Sequence, residues 1–159
     1  EMMGADRGFL PVAYWPMSLV IVESPYAGDI DANVEYARAA MRDSLNRGEA
    51  PIASHLLYTQ PGILRDAVPE ERQWGIDAGL AWREVADMAV FYIDRNWSGG
   101  MLAARRLYLQ DGFPFEGRSL SGEIFERSPA QGIEARQRTD PEEGLDPKGE
   151  SPVAESDAP

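Results

Sequence analysis

Two short apolar runs, each passing through a polar, glycine-bearing turn into a helical pattern, constrain this chain more than any other feature. The first, residues 17–23, ends in Ser24-Pro25-Tyr26-Ala27-Gly28-Asp29, and the second, Met88-Ala89-Val90-Phe91-Tyr92-Ile93, leads into Arg95-Asn96-Trp97-Ser98-Gly99-Gly100-Met101. The second run is short, apolar and flanked by polar residues, which suits a buried parallel strand. After it, Met101, Ala104 and Tyr108 recur at helical spacing. Gly99 and Gly100 therefore fall where a strand becomes a helix, a place where backbone N–H groups and the helix dipole can hold an anion. Ser98 adds a hydroxyl there. In a parallel α/β sheet both turns lie at the carboxyl edge, where ligands bind between neighbouring strand ends. Taken singly, either turn is equally well an ordinary strand-to-helix connection.

The rest of the chain extends the pattern. Residues 1–16, with Gly4, Gly8, Pro11 and Pro16 and no periodicity, read as an irregular leader. Asp29 or Asp31 caps a helix whose apolar positions are Val34, Ala37, Met41 and Leu45, and Gly48 stops it. Residues 50–54 form a short strand with Pro51 at its start. Pro69-Glu70-Glu71-Arg72 opens a helix with proline and acids in its first turn, and Trp74, Ala78, Ala81 and Val85 are its apolar stripe. The strand at residues 88–93 and a helix over 101–110 follow, the latter ended by Gly112 and Pro114. A last short strand falls at residues 118–120, with an extension through 123–125 left open. This β-α-β-α-β-α-β order argues for an open parallel sheet with helices on both faces. From Ser128 the composition shifts: residues 128–159 hold eight acids against three bases and no aromatic residue. Such a segment buries too little apolar surface to offset its ordering entropy, so a disordered acidic tail is expected beyond a domain at 17–127.

Composition excludes several functions. A formal charge of −12 repels polyanions, so no nucleic acid polymer is expected as a partner. With no cysteine and His55 as the single histidine, neither a thiolate nor a histidine-rich metal site can form, and no metal or cofactor is expected. No segment reaches the roughly 18 apolar residues of a membrane span, and the start lacks a signal-peptide pattern, which reads as a cytoplasmic protein with no membrane partner. The Rossmann glycine fingerprint is absent after the first strand. The lone lysine, Lys148, lies in the tail, so there is no Walker loop. Ser24, Ser98 and His55 are present, but the Gly-x-Ser-x-Gly elbow of a serine hydrolase is not.

What remains is a sheet edge bearing Tyr26, Asp29, His55, Asp77, Asp94 and Ser98, with Glu70 and Glu71 on a nearby helix start. Carboxylates for sugar hydroxyls, Ser98 and glycine amides for a phosphate, and an aromatic face for a base suit a hydroxylated, phosphorylated ligand. Each residue has a plainer alternative: Tyr26 packing over the first turn, His55 as a satisfied loop histidine, Glu70 and Glu71 complementing the helix dipole. Their shared position favours the ligand.

Ser24-Pro25-Tyr26-Ala27-Gly28, Asn33 before an alanine-rich helix, Gly48-x-x-Pro51-Ile52, His55-Leu56-Leu57, Arg72, Ala86-Asp87 and Ser98-x-Gly100-Met101 stand in a telling order and spacing. Over residues 17–120 this pattern resembles the nucleoside 2-deoxyribosyltransferase-like superfamily, in particular its small, often phage-borne branch. The resemblance implies a flavodoxin-like sheet of five strands, a homodimer or higher oligomer, and a nucleoside or nucleotide held at the strand ends. Enzymes of the superfamily cleave the N-glycosidic bond: a glutamate attacks the sugar C1′ and the glycosyl group passes to another base or to water. On this resemblance Ser98 is a phosphate ligand, Asp77 matches an acidic helper, and Asp87 shapes the start of its strand. The binding set becomes Ser24, Tyr26, Gly28, His55, Ser98, Gly99, Gly100 and Met101. One departure is serious, because six residues after Ser98, where the pattern requires glutamate, stands Ala104. Either the nucleophile has moved, with Asp94, Glu70 and Glu71 as candidates, or the domain is a non-catalytic sensor or sponge for a nucleotide or ADP-ribose-like ligand. The catalytic candidates are accordingly Asp77, Asp94 and Glu71.

Overall fold

The two apolar runs become neighbouring central strands in the computed structural model of the chain, which describes residues 17–129. In chain order the elements are β1 (Leu19–Glu23), α1 (Ile30–Asn46), β2 (Ala50–Ile52), α2 (Ser54–Leu57), α3 (Pro69–Ala81), a 3-10 turn at Trp82–Glu84, β3 (Met88–Tyr92), α4 (Gly99–Asp111), β4 (Phe115–Arg118) and β5 (Ile124–Arg127). They form one sheet in the order β2-β1-β3-β4-β5. β1 pairs in parallel with β2 and with β3, placing Glu23 opposite Phe91, and β4 continues the parallel sheet. This is the α/β architecture expected, with one difference at its far edge. Residues 118–120 do not make the last strand: β4 begins at Phe115, the chain turns through Gly122 at φ +94°, and β5 returns antiparallel. Glycine at that turn reverses the chain between Arg118 and Ile124, where one last short strand, its extension left open, was expected.

The leader expected at 1–16 and the tail expected at 128–159 lie outside the described residues, apart from Ser128 and Pro129. Ser128, just past β5, is tied to β4: its N–H donates to the Phe115 carbonyl at 2.8 Å and its hydroxyl accepts from the Phe115 N–H at 3.0 Å. No helix among the described residues is long and apolar enough to cross a membrane.

Strand side chains alternate, so each face of the sheet takes its own helix. Val20, Val22, Val90 and Tyr92 pack on Tyr36 and Ala40 of α1, while Ile21, Ala89, Phe91 and Phe115 pack on Met101, Ala104 and Tyr108 of α4. Each fully buried Val, Ile, Phe or Met among them contributes about 1.5–3 kcal/mol. The buried face of α1 runs through Asn33, Tyr36, Ala37, Ala40 and Ser44, whereas Leu45 of the expected stripe is exposed. Alanines let the helix approach closely, and the polar members are satisfied: Ser44 donates to Glu49 at 2.6 Å, and Asn33 donates to backbone carbonyls. At the far side Arg118, 1% exposed, is clasped by Glu49 at 2.6 Å and Glu116 at 3.1 Å, the pairing a buried cation requires.

The stripe expected for α3 also turns outward. Trp74 is 67% exposed, Ala81 and Val85 face solvent, and the regular helix ends at Ala81. Gly79 is instead the buried contact: a Cβ there would stand 2.4 Å from Ser54 Oγ and 2.7 Å from Ser54 Cβ. The helix sits close to α2 only because that atom is missing. Gly79→Ala is expected to lower the urea midpoint by an amount equal to about 1–3 kcal/mol. Gly99→Ala, whose added methyl meets nothing within 4 Å, should change stability by less than about 0.5 kcal/mol. An unchanged midpoint for Gly79→Ala would contradict the close approach.

Candidate functional site

Because β1 and β3 run parallel side by side, the loops that follow them emerge at the same edge, and a cavity of about 400 Å³ lies there between α2, α3 and the start of α4. Ser98 is the N-cap of α4: its hydroxyl accepts the Met101 N–H at 3.2 Å, and its own N–H points to Met101 Sδ at 3.5 Å. Since the helix begins at Gly99, the Gly99 and Gly100 amides have no carbonyl one turn earlier to bond. Both glycines and Ser98 line the cavity. The positive end of a helix dipole thus borders open volume, an arrangement suited to an anion. The turn before it is shaped by Asn96, whose φ of +65° is a conformation asparagine tolerates better than most residues.

The opposite wall comes from β1 and the turn beyond it. Ser24 Oγ and His55 Nε2 are 2.7 Å apart, and the Tyr26 ring stands edge-on to the imidazole at 6.4 Å between centroids. Burial holds the His55 imidazole down at about 4, so the ring is neutral at pH 7 and exchanges a hydrogen bond, not a charge, with Ser24. Asn33 connects the two turns. Its amide donates to the Tyr26 and Ala27 carbonyls at 3.0 Å each, while its oxygen accepts from Arg95 Nε at 3.0 Å.

The last residue of β1, Glu23, reaches the same cavity. It faces the α4 side of the sheet and accepts the Tyr108 hydroxyl at 2.6 Å. Burial pushes its carboxyl up to about 7, an effect only partly offset by that hydrogen bond. Ala104, 8% exposed, lines the cavity one helical turn before Tyr108.

Eight of the residues expected at a site border this one space: Ser24, Tyr26, His55, Glu71, Ser98, Gly99, Gly100 and Met101. Three do not. Gly28 occupies the turn before α1 at φ +97°. Asp77 points along the outside of α3, where it accepts from Gln73 at 2.9 Å. Asp94 accepts from the Tyr36 hydroxyl at 2.5 Å and from the Leu120 N–H at 3.1 Å, a clasp between α1, β3 and the β4–β5 turn. Glu71 lines the cavity, but Arg65 binds it through both its guanidinium and its N–H and holds its carboxyl below the ordinary range. Glu23 escaped the sequence reading because it closes an apolar strand. The signal was a carboxylate two residues after Ile21, on the strand face that packs against α4.

An open α/β sheet with a ligand-sized cavity at its carboxyl edge defines the class of protein. The family model described as a domain of unknown function (DUF7768) matches residues 18–118, and the chain belongs to that family. No curated protein matches the chain. Among solved structures, the 2-deoxyribosyltransferase of the psychrotolerant bacterium Bacillus psychrosaccharolyticus has a similar fold, with a TM-score of 0.53 and 17% sequence identity over 69% of this chain and 77% of that one.

The raised carboxyl of Glu23 makes stability depend on pH. Folding holds the group at about 7 against an ordinary 4.5, so the folded state retains a proton that the unfolded state releases. Below 4.5 the group is neutral in both states, and stability is lost as pH rises from there through 7, by about 3 kcal/mol at most. Glu23→Gln removes that loss, so the variant should gain on the wild type across this interval in urea titrations at fixed pH. His55 acts in the opposite sense, losing stability as pH falls from 6.5 toward 4, but is common to both proteins and cancels in the difference. A difference independent of pH would contradict the buried carboxyl.

Proposed function

We propose that the cavity binds a nucleoside 5′-monophosphate and that the domain acts on its N-glycosidic bond, as a hydrolase or a deoxyribosyltransferase. The observation that carries this reading is the meeting of an anion-binding helix start and an aromatic, histidine-bearing wall in one space. The phosphate goes to Ser98 and the Gly99 and Gly100 amides. The sugar lies between Glu23 and the Ser24–His55 pair, and the base lies toward Tyr26 and Tyr58 and the apolar side chains of Leu64, Ile76 and Leu80. A volume of about 400 Å³ falls within the range of small-molecule sites. The fold shared with a 2-deoxyribosyltransferase and the motif resemblance described above support the same ligand class.

Ala104 favours a second reading, a domain that binds a nucleotide or an ADP-ribose-like ligand without turning it over, since a methyl group has no lone pair with which to attack an anomeric carbon. Incubation with a panel of 2′-deoxynucleoside 5′-monophosphates, followed by assay for free base and by calorimetry, separates the two. Base release supports the first reading, tight binding without release the second, and no binding contradicts both.

Ser98→Ala should weaken a 5′-monophosphate more than the matching nucleoside, by about 1.5–3 kcal/mol, the range for a hydrogen bond to a charged group. The substitution also removes the α4 cap, at a cost of about 1 kcal/mol in helix stability that is common to both ligands. Equal changes in affinity for nucleotide and nucleoside would count against the phosphate role.

A further inference from the structure

We propose that Glu23 is the nucleophilic carboxyl of this site, delivered from the end of β1 into the space beside Ala104. The inference deepens the proposed N-glycosidic activity and rests on it. Tyr108, which binds Glu23 at 2.6 Å, lies one helical turn beyond Ala104 on the same face of α4. The carboxyl therefore stands on the α4 side of the cavity, whose wall Ala104 also lines. Glu70, Asp77 and Asp94 do not line the cavity, and Glu71 is bound by Arg65. Glu23 alone combines access to the space, a fixed orientation and freedom from a cationic partner among the described residues.

The surroundings suit a carboxylate that must attack rather than rest in an ion pair. Across the cavity His55 is held neutral, Arg72 is engaged with Asp66 at 3.2 Å, and Tyr26, Tyr58 and Glu71 complete the titratable groups facing it among the described residues. Behind Glu23, burial first, and then the Glu23 charge and hydrogen bond, keep the Tyr108 hydroxyl protonated, a permanent donor to Oε1, with Arg83 beyond it. Oε2 is left for chemistry. A desolvated carboxylate that titrates near neutrality is more basic, and a stronger nucleophile, than one in water.

The step balances without a further reactant. An Oε2 lone pair forms a bond to C1′ while the C1′–N bond breaks, its electron pair leaving with the base, which takes a proton from water. A water molecule then bonds to C1′ and loses its proton to solvent, and the ester C1′–O bond breaks with its pair returning to Glu23. The sum is nucleotide plus water to free base plus 2-deoxyribose 5-phosphate.

The test follows base release from a 2′-deoxynucleoside 5′-monophosphate by the full chain between about pH 5 and about pH 9. The wild-type rate should rise with pH through a midpoint near 7 as Glu23 ionises. Glu23→Gln should release base about 100-fold more slowly or worse while still binding the monophosphate. A sugar adduct trapped on the wild type should map to the peptide containing Glu23. Tyr108→Phe, which keeps the carboxyl but removes a bond that stabilises its charge, should move the midpoint upward, and it decides the matter if Glu23→Gln fails to fold. Release by Glu23→Gln at the wild-type rate, an unmoved midpoint in Tyr108→Phe, or wild-type binding without release would each overturn the role of Glu23 while leaving the binding site intact. A wild type that does not bind the monophosphate would instead overturn the site itself, and Glu23 with it.

Discussion

Parallel pairing of β1 with β3 is the constraint on which the rest of the structure depends. A parallel pair sends both strand ends to one edge, and the order β2-β1-β3 means the chain leaves β1 in one direction and returns to β3 on its other side. The two following loops are thereby forced apart at their far ends and together at their bases. Asn33 spans them, holding the Tyr26 and Ala27 carbonyls from one loop and Arg95 from the other. The cavity is what this topology leaves open, and α2 and α3 close its remaining sides.

The alternation of side chains then decides which chemistry reaches that space. Ile21 and Glu23 share a face of β1, so a residue that ends a buried strand meets Tyr108 of α4. A glutamate in this position is expensive in free energy, because burial opposes its charge and one tyrosine hydroxyl compensates only in part. Ser24 is oriented to the other side, where His55 holds it. The edge thus combines a reluctant carboxylate, a neutral imidazole and a helix start of opposite polarity within one enclosure. Groups whose environments push them away from their ordinary protonation cluster where chemistry is done.

Much of this was legible in the sequence where a local rule and the fold agree. The apolar runs at β1 and β3, the serine and glycines that start α4, the proline that opens α3 and the glycine that closes α4 all stand where their backbone preferences place them. The failures share one cause, in that a side chain's partner lay far along the chain. Asp94 looked like a free acid at a strand end until Tyr36, 58 residues away, claimed it. Trp74 and Val85 read as a core stripe because apolar residues were counted, while the packed contact of α3 is Gly79, which has no side chain to count. Glu23 read as the polar end of a strand because Tyr108, 85 residues on, is invisible to local periodicity.

The most direct test of the account is a crystal structure of the chain bound to a 2′-deoxynucleoside 5′-monophosphate. The account requires the phosphate oxygens to lie about 2.7–3.2 Å from Ser98 Oγ and the Gly99 and Gly100 nitrogens, with C1′ turned toward Glu23 Oε2. A nucleotide seated elsewhere, or in this cavity with its phosphate away from the start of α4, would contradict it.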